Sequence, residues 1–160
     1  AEYDIFRKTG NEFILLAQTS DLLYSDYLDE IYGNQFTEGP SSGEFCYFIE
    51  TTERAYLSRS EIKCVYQDEA IFIPNAFNPN GSVVEKRTFN LKAAFITEYI
   101  MTIYGQYGNI IFESRDPSIG WNGIMPDGKL APRGAYIYYL SYKNAQGKQV
   151  KKRSFVTLVY

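Results

Sequence analysis

The 160-residue chain contains no histidine. That removes Ser-His-Asp and Cys-His nucleophile pairs, His-ligated zinc and imidazole proton shuttles. Hydrolysis by a carboxylate pair survives the exclusion, but it needs two acids facing one cleft, and no spacing here places them so. The two cysteines, Cys46 and Cys64, form no CxxC motif, which weakens zinc and thioredoxin-type readings. If residues 44–53 and 60–67 make a hairpin centred on residue 55, these cysteines lie opposite each other on adjacent strands. The expectation is a disulfide in an oxidising, extracytoplasmic compartment; the alternative is two buried thiols in a reduced β-core. Lys151, Lys152 and Arg153 are either a contact for an acidic partner or a solvated strand start. Trp121 either stacks on a sugar ring or plugs one end of a sandwich, and its place in Gly120-Trp121-Asn122-Gly123 favours the plug. Asp116 and Asp127 are the candidates for holding a cation. Nucleic acid is not an expected partner, because the chain is acidic overall and carries no RNA-binding aromatic motif.

The elements that must position these groups read as strands. Hydrophobic residues make up 45% of the chain and charged residues 22%, enough for a packed core. Fifteen Tyr and eleven Phe suit pleated sheets better than helix bundles. No apolar run is long enough to span a bilayer. Ala1 leads straight into a polar, strand-like segment without a leader pattern, and the expectation is an excised piece of a longer protein. Charge divides the chain: residues 1–69 hold 5 basic against 14 acidic residues, a net of −9, and residues 70–160 hold 11 against 5, a net of +6, giving the total of −3. Two domains meeting near Glu69 explain this step more simply than one, and the polarity is either a steering field or the trace of unrelated histories.

In the first half, residues 3–7 and 12–17 read as a hairpin around Thr9-Gly10-Asn11. Residues 21–32 are ambiguous: Leu23, Tyr27 and Ile31 repeat as one helix face would, yet Gly33 and the polar stretch 37–43 suit a looped connection equally. Residues 45–50 are the clearest strand, and 59–66 pair back on it. Tyr3-x-Ile5-x-Arg7, Tyr24-x-Asp26, Phe45-Cys46-Tyr47-x-Ile49 and Ser58-x-Ser60 leading into Cys64 resemble the later part of a fibronectin type III domain, its middle strands and last hairpin. The resemblance implies that two earlier strands are missing and that inner-face residues such as Ile5 and Ile49 are exposed.

In the second half, residues 71–73 are an apolar run that stops at Pro74. The turn formers Asn75, Asn78, Pro79, Asn80 and Gly81 follow, and Asn75, Asn78 and Asn80 are expected to fix the loop through side-chain-to-backbone bonds. Strands are expected at residues 88–91, 95–104, 109–114, 135–142 and 150–160. Tyr99, Met101 and Ile103 share one face, as do Tyr136, Tyr138, Leu140 and Tyr142, packing positions rather than a ligand platform. Such strands, with turn signals between them, suggest an antiparallel sandwich.

Five motifs in order carry a closer resemblance. They are Pro74-Asn75-x-Phe77-x-Pro79-Asn80-Gly81; the hairpin Met101 to Ser114 with Tyr104 and Gly108; Gly120-Trp121-x-Gly123; Pro132-x-Gly134-x-Tyr136-x-Tyr138; and Val156-Thr157-Leu158. Together they resemble the gliding-motility-associated C-terminal domain, the type B signal of the Bacteroidetes type IX secretion system. Two departures stand out. Ser82-Val83-Val84-Glu85-Lys86 replaces an Asp-rich run, which argues against calcium there, and Tyr107 replaces a Trp and is expected to keep an aromatic plug.

The resemblance implies an all-β chain of two Ig-like or fibronectin-like antiparallel sandwich units, an incomplete one at 1–69 and a signal domain at 70–160. It implies no active site, cofactor or metal. It implies a cell-surface or secreted protein, often an adhesin, recognised in the periplasm by the type IX translocon and its outer-membrane β-barrel or shuttle proteins. The expected contacts are Pro74, Asn75, Phe77, Pro79, Asn80, Lys151, Lys152, Arg153, Phe155, Val156 and Leu158. Strand 154–160 is the candidate edge if it lies outermost, and Tyr104, Gly108, Trp121, Gly123, Gly134 and Tyr136 hold the frame. The rival reading is an adhesive or carbohydrate-binding module using Trp121; a glycosidase accessory or catalytic domain is a distant third.

Overall fold

Every long element among the described residues is a strand, as period-two patterning and aromatic content require. The structure is a computed structural model that describes residues 2–27, 42–51 and 57–160. The strands are β1 (Tyr3–Thr9), β2 (Glu12–Thr19), β3 (Glu44–Thr51), β4 (Lys63–Tyr66), β5 (Ala70–Phe72), β6 (Ala76–Phe77), β7 (Lys92–Ala94), β8 (Ile96–Tyr104), β9 (Ile110–Ser114), β10 (Gly134–Asn144) and β11 (Gln149–Leu158). They form a four-stranded sheet ordered β2-β1-β3-β4, a five-stranded sheet ordered β6-β11-β10-β8-β9, and the pair β5-β7. All neighbours are antiparallel except β6 and β11, which run parallel.

The first sheet is organised by its pleat. Phe6 lies opposite Phe48 on one face, with the rings stacked at 4.6 Å, and Phe13 joins them at 4.9 Å. The Arg59 guanidinium caps Phe48 at 4.2 Å, a cation over a ring face. On the other face Arg7 lies opposite Tyr47, and Asp26 reaches both, accepting from Arg7 at 2.8 Å and from the Tyr47 hydroxyl at 2.7 Å. That anchoring explains why residues 21–27 are bends and irregular chain rather than helix, despite Leu23 and Tyr27. Residues 28–32 of the ambiguous stretch, most of the polar loop 37–43, and the hairpin centre at residue 55 lie outside the described residues. The expected exposure of this face is half met: Ile49 is 42% exposed, but Ile5 is only 6% exposed.

The second core gathers under the five-stranded sheet. Tyr99, Met101 and Ile103 of β8, Tyr136, Tyr138, Leu140 and Tyr142 of β10, and Val156 and Leu158 of β11 point inward. Phe77, Phe89, Leu91, Ala93, Trp121 and Ala131 close the other side, making a sandwich whose second layer is β5-β7 plus pinned loops. Burial contributes roughly 1.5–3 kcal/mol for each large apolar side chain taken fully from water.

Two strand expectations shift. The strand expected at residues 88–91 is instead β7, at Lys92–Ala94. Phe89 makes only a bridge, exchanging backbone bonds of 2.8 and 3.0 Å with Trp121. The strand expected from residue 95 starts at Ile96, because Phe95 holds φ +62° and Glu98 holds φ +51°, where β8 slips register against β10. Tyr107 is corrected outright: at the tip of the β8–β9 turn it is 97% exposed and plugs nothing. Between the first sheet and the rest, Phe45 meets Phe95 edge-on at 6.4 Å, and the Tyr142 hydroxyl donates to Glu69 at 3.3 Å.

Candidate functional site

Pro74 ends the run out of β5, and the next residues bind the chain to its last strand. The Asn75 carbonyl accepts from the Thr157 N–H at 2.9 Å, and the Phe77 carbonyl accepts from Val159 at 3.0 Å. The asparagine stretch then folds on itself. Asn78 Oδ1 accepts from the Asn80 N–H at 2.9 Å, the Asn78 carbonyl accepts from Gly81 at 3.0 Å, and the Asn78 N–H donates to Lys86 at 3.0 Å. Arg87 Nε closes the loop by donating to the Gly81 carbonyl at 2.7 Å. Asn75 and Asn80 stay exposed, while Pro74 and Pro79 are half-buried.

The other motifs converge on this loop. Gly123 has φ +82°, and a Cβ there would lie 2.9 Å from Pro79 Cγ and 3.0 Å from a Leu158 methyl. The first, third and fifth motifs therefore meet at one point. Trp121 is 1% exposed, packs at 5.4 Å on Phe77 and 5.0 Å on Tyr136, and donates its indole N–H to the Ile124 carbonyl at 2.9 Å. Its ring is a plug and offers no face to a sugar. The Tyr136 hydroxyl donates to the Pro132 carbonyl at 2.6 Å, four residues upstream, the geometry of a tyrosine corner in Greek-key sandwiches. Gly134 opens β10, Gly108 turns the β8–β9 connection, and Tyr104 packs edge-on against Tyr139 at 5.4 Å.

The basic stretch lies on β11. Lys151, Lys152, Arg153 and Phe155 are all exposed. Arg153 lies 5.5 Å from the Tyr139 ring centre, and Lys152 lies 5.8 Å from that of Tyr142. Three expected contacts need correction. Phe77, Val156 and Leu158 are core residues, so their side chains support the surface rather than form it. The expected edge also moves. Residues 157–159 are covered by β6 and Asn75, whereas β11 from 149 to 155 has a strand on one side only among the described residues. A two-residue parallel strand such as β6 leaves no periodic trace in sequence, which is why this edge was placed too far along.

The remaining candidates resolve into structure. Cys46 and Cys64 are paired at the expected register and joined by a disulfide. Both sulfurs are thereby engaged, so their proximity to Glu44 is no metal centre. Asp116 accepts from the Ser118 hydroxyl at 2.7 Å and its N–H at 2.8 Å, and these bonds hold its carboxyl below the ordinary value. Asp127 accepts from the Lys129 N–H at 3.1 Å in a similar turn. Burial, reinforced by Glu69, pushes Tyr142 up to about 12; burial and then Asp26 raise Tyr47, and burial and then Asp116 raise Tyr99.

No curated protein matches the chain significantly. The ordered motifs that meet around Pro79, Gly123 and Leu158 fall within residues 71–158, which match the family model of the CHU_C type IX secretion signal domain. That match spans more than half of the chain, and the chain belongs to this family.

Proposed function

We propose that residues 71–158 act as a folded address: a component of the type IX machinery recognises the domain's surface in the periplasm and commits the attached protein to outer-membrane passage. The family match over residues 71–158 carries this reading. Physical features support it. The loop at 74–81 is held by backbone and side-chain bonds, so it presents one shape to a receptor. The Cys46–Cys64 disulfide suits an oxidising compartment on such a route. The receptor is the translocon or an associated outer-membrane β-barrel or shuttle protein, and the cargo is a surface protein of the adhesin kind. The reading assigns the chain no catalytic step. Deleting residues 70–160 from the parent protein tests it: surface delivery is lost while the rest of the protein is still made. Undiminished surface delivery of the deletion variant overturns it. The glycan-binding rival has no supporting surface at Trp121, because that ring is buried.

A further inference from the structure

The hydrogen bonds of β11 reveal which backbone groups lack a partner among the described residues. In an extended strand the N–H and C=O of one residue point the same way, and successive residues alternate. The Thr157 and Val159 N–H groups donate toward β6 and its flank. By alternation, Phe155, Arg153 and Lys151 turn their backbone groups to that same side, beyond the reach of the two-residue β6. Val150, Lys152 and Ser154 turn theirs to β10, opposite Tyr142, Leu140 and Tyr138. The three residues with open backbone groups also share a side-chain face, the outer face of the sheet. There Phe155 is 57% exposed and Arg153 rests near Tyr139. A groove of about 640 Å³ crosses this face from β11 over β10 to β8, lined by Lys151, Gln149, Ser141, Ile100, Glu98 and Arg115.

We infer that the β11 edge from 149 to 155 accepts an extended acidic strand. The added backbone pairs with Lys151, Arg153 and Phe155, and carboxylates on alternate residues meet Lys151 and Arg153. The inference deepens the export reading, on which it rests for the partner being part of the secretion machinery. The occupant follows from charge. Adjacent cations at 151, 152 and 153 repel a second copy of the same edge, and lysine-rich edges resist self-pairing. The same row attracts a strand of opposite sign: among the described residues none of the three cations is held in an ion pair, and Glu98, which shares the groove with Lys151, pairs with Lys143 instead.

The test uses the full chain and a short synthetic peptide alternating glutamate with threonine, with a lysine-for-glutamate peptide as control. The glutamate peptide is expected to bind. It should slow hydrogen exchange at the Lys151, Arg153 and Phe155 amides about tenfold or more, leaving the Val150, Lys152 and Ser154 amides as they were. The double variant Lys151→Glu with Arg153→Glu should bind it about tenfold more weakly, and the already protected amides report that it remains folded. No binding, equal binding of the lysine peptide, or binding without new protection at those three amides overturns the inference, as does dimerisation of the chain through this edge. A periplasmic reporter carrying residues 70–160 separates the two claims. Normal export without peptide binding removes the edge inference alone, and failure of the unaltered domain to export removes the export reading.

Discussion

At the scale of single residues, the domain is most vulnerable where its motifs touch. Gly123→Ala adds a methyl against Pro79 and Leu158 at a positive φ and should cost about 1–3 kcal/mol, read as a lower unfolding midpoint in urea. Tyr136→Phe should cost about 1 kcal/mol, because the Pro132 carbonyl loses its donor. The tyrosines set a pH limit. Tyr142 titrates near 12 in the folded chain against 10.0 for an ordinary tyrosine, and Tyr47 and Tyr99 are also raised. A raised pKa means that the unfolded chain gives up the proton first. The contribution is therefore whole below pH 10 and is lost as pH climbs through the folded values. Stability in urea should be flat from neutrality to mild alkali and then fall; a chain equally stable at pH 12 would contradict these burials.

At the scale of elements, sequence reasoning succeeded where alternation was long and failed where pairing was short. The inward faces of β8 and β10 were legible because Tyr99, Met101 and Ile103, and Tyr136 to Tyr142, alternate over many residues. The Cys46–Cys64 register was legible because both strands flank one hairpin. The β6–β11 contact was not, since two residues carry no period and parallel pairing joins segments some 80 residues apart. That one miss moved the open edge from 154–160 to 149–155. Tyr107 was misread for a related reason: an aromatic at a hairpin tip has no pleat to point it inward. The disulfide gives the element-scale prediction. It spans 18 residues, and its reduction should cost the first sheet about 3 kcal/mol in the chain-entropy account. Exchange should quicken at β3 and β4 amides on adding reductant, and alkylation should label the cysteines only then. Labelling without reductant would remove the bond from the account.

At the scale of the molecule, the chain is an acidic sheet followed by a basic sandwich, the second belonging to a family of export signals. The sandwich is built to hold one surface rigidly: the 74–81 loop, the Trp121 plug and the end of β11 lock together, while β11 from 149 to 155 has a strand on one side only among the described residues. A folded signal of this kind has a simple requirement, that the domain alone suffices. The most direct measurement is the fate of a periplasmic reporter fused to residues 70–160. In a host with a working type IX translocon, the reporter should reach the cell surface or the medium, and in a host lacking the translocon it should stay in the periplasm. Retention in both hosts, or release from both, would contradict the account.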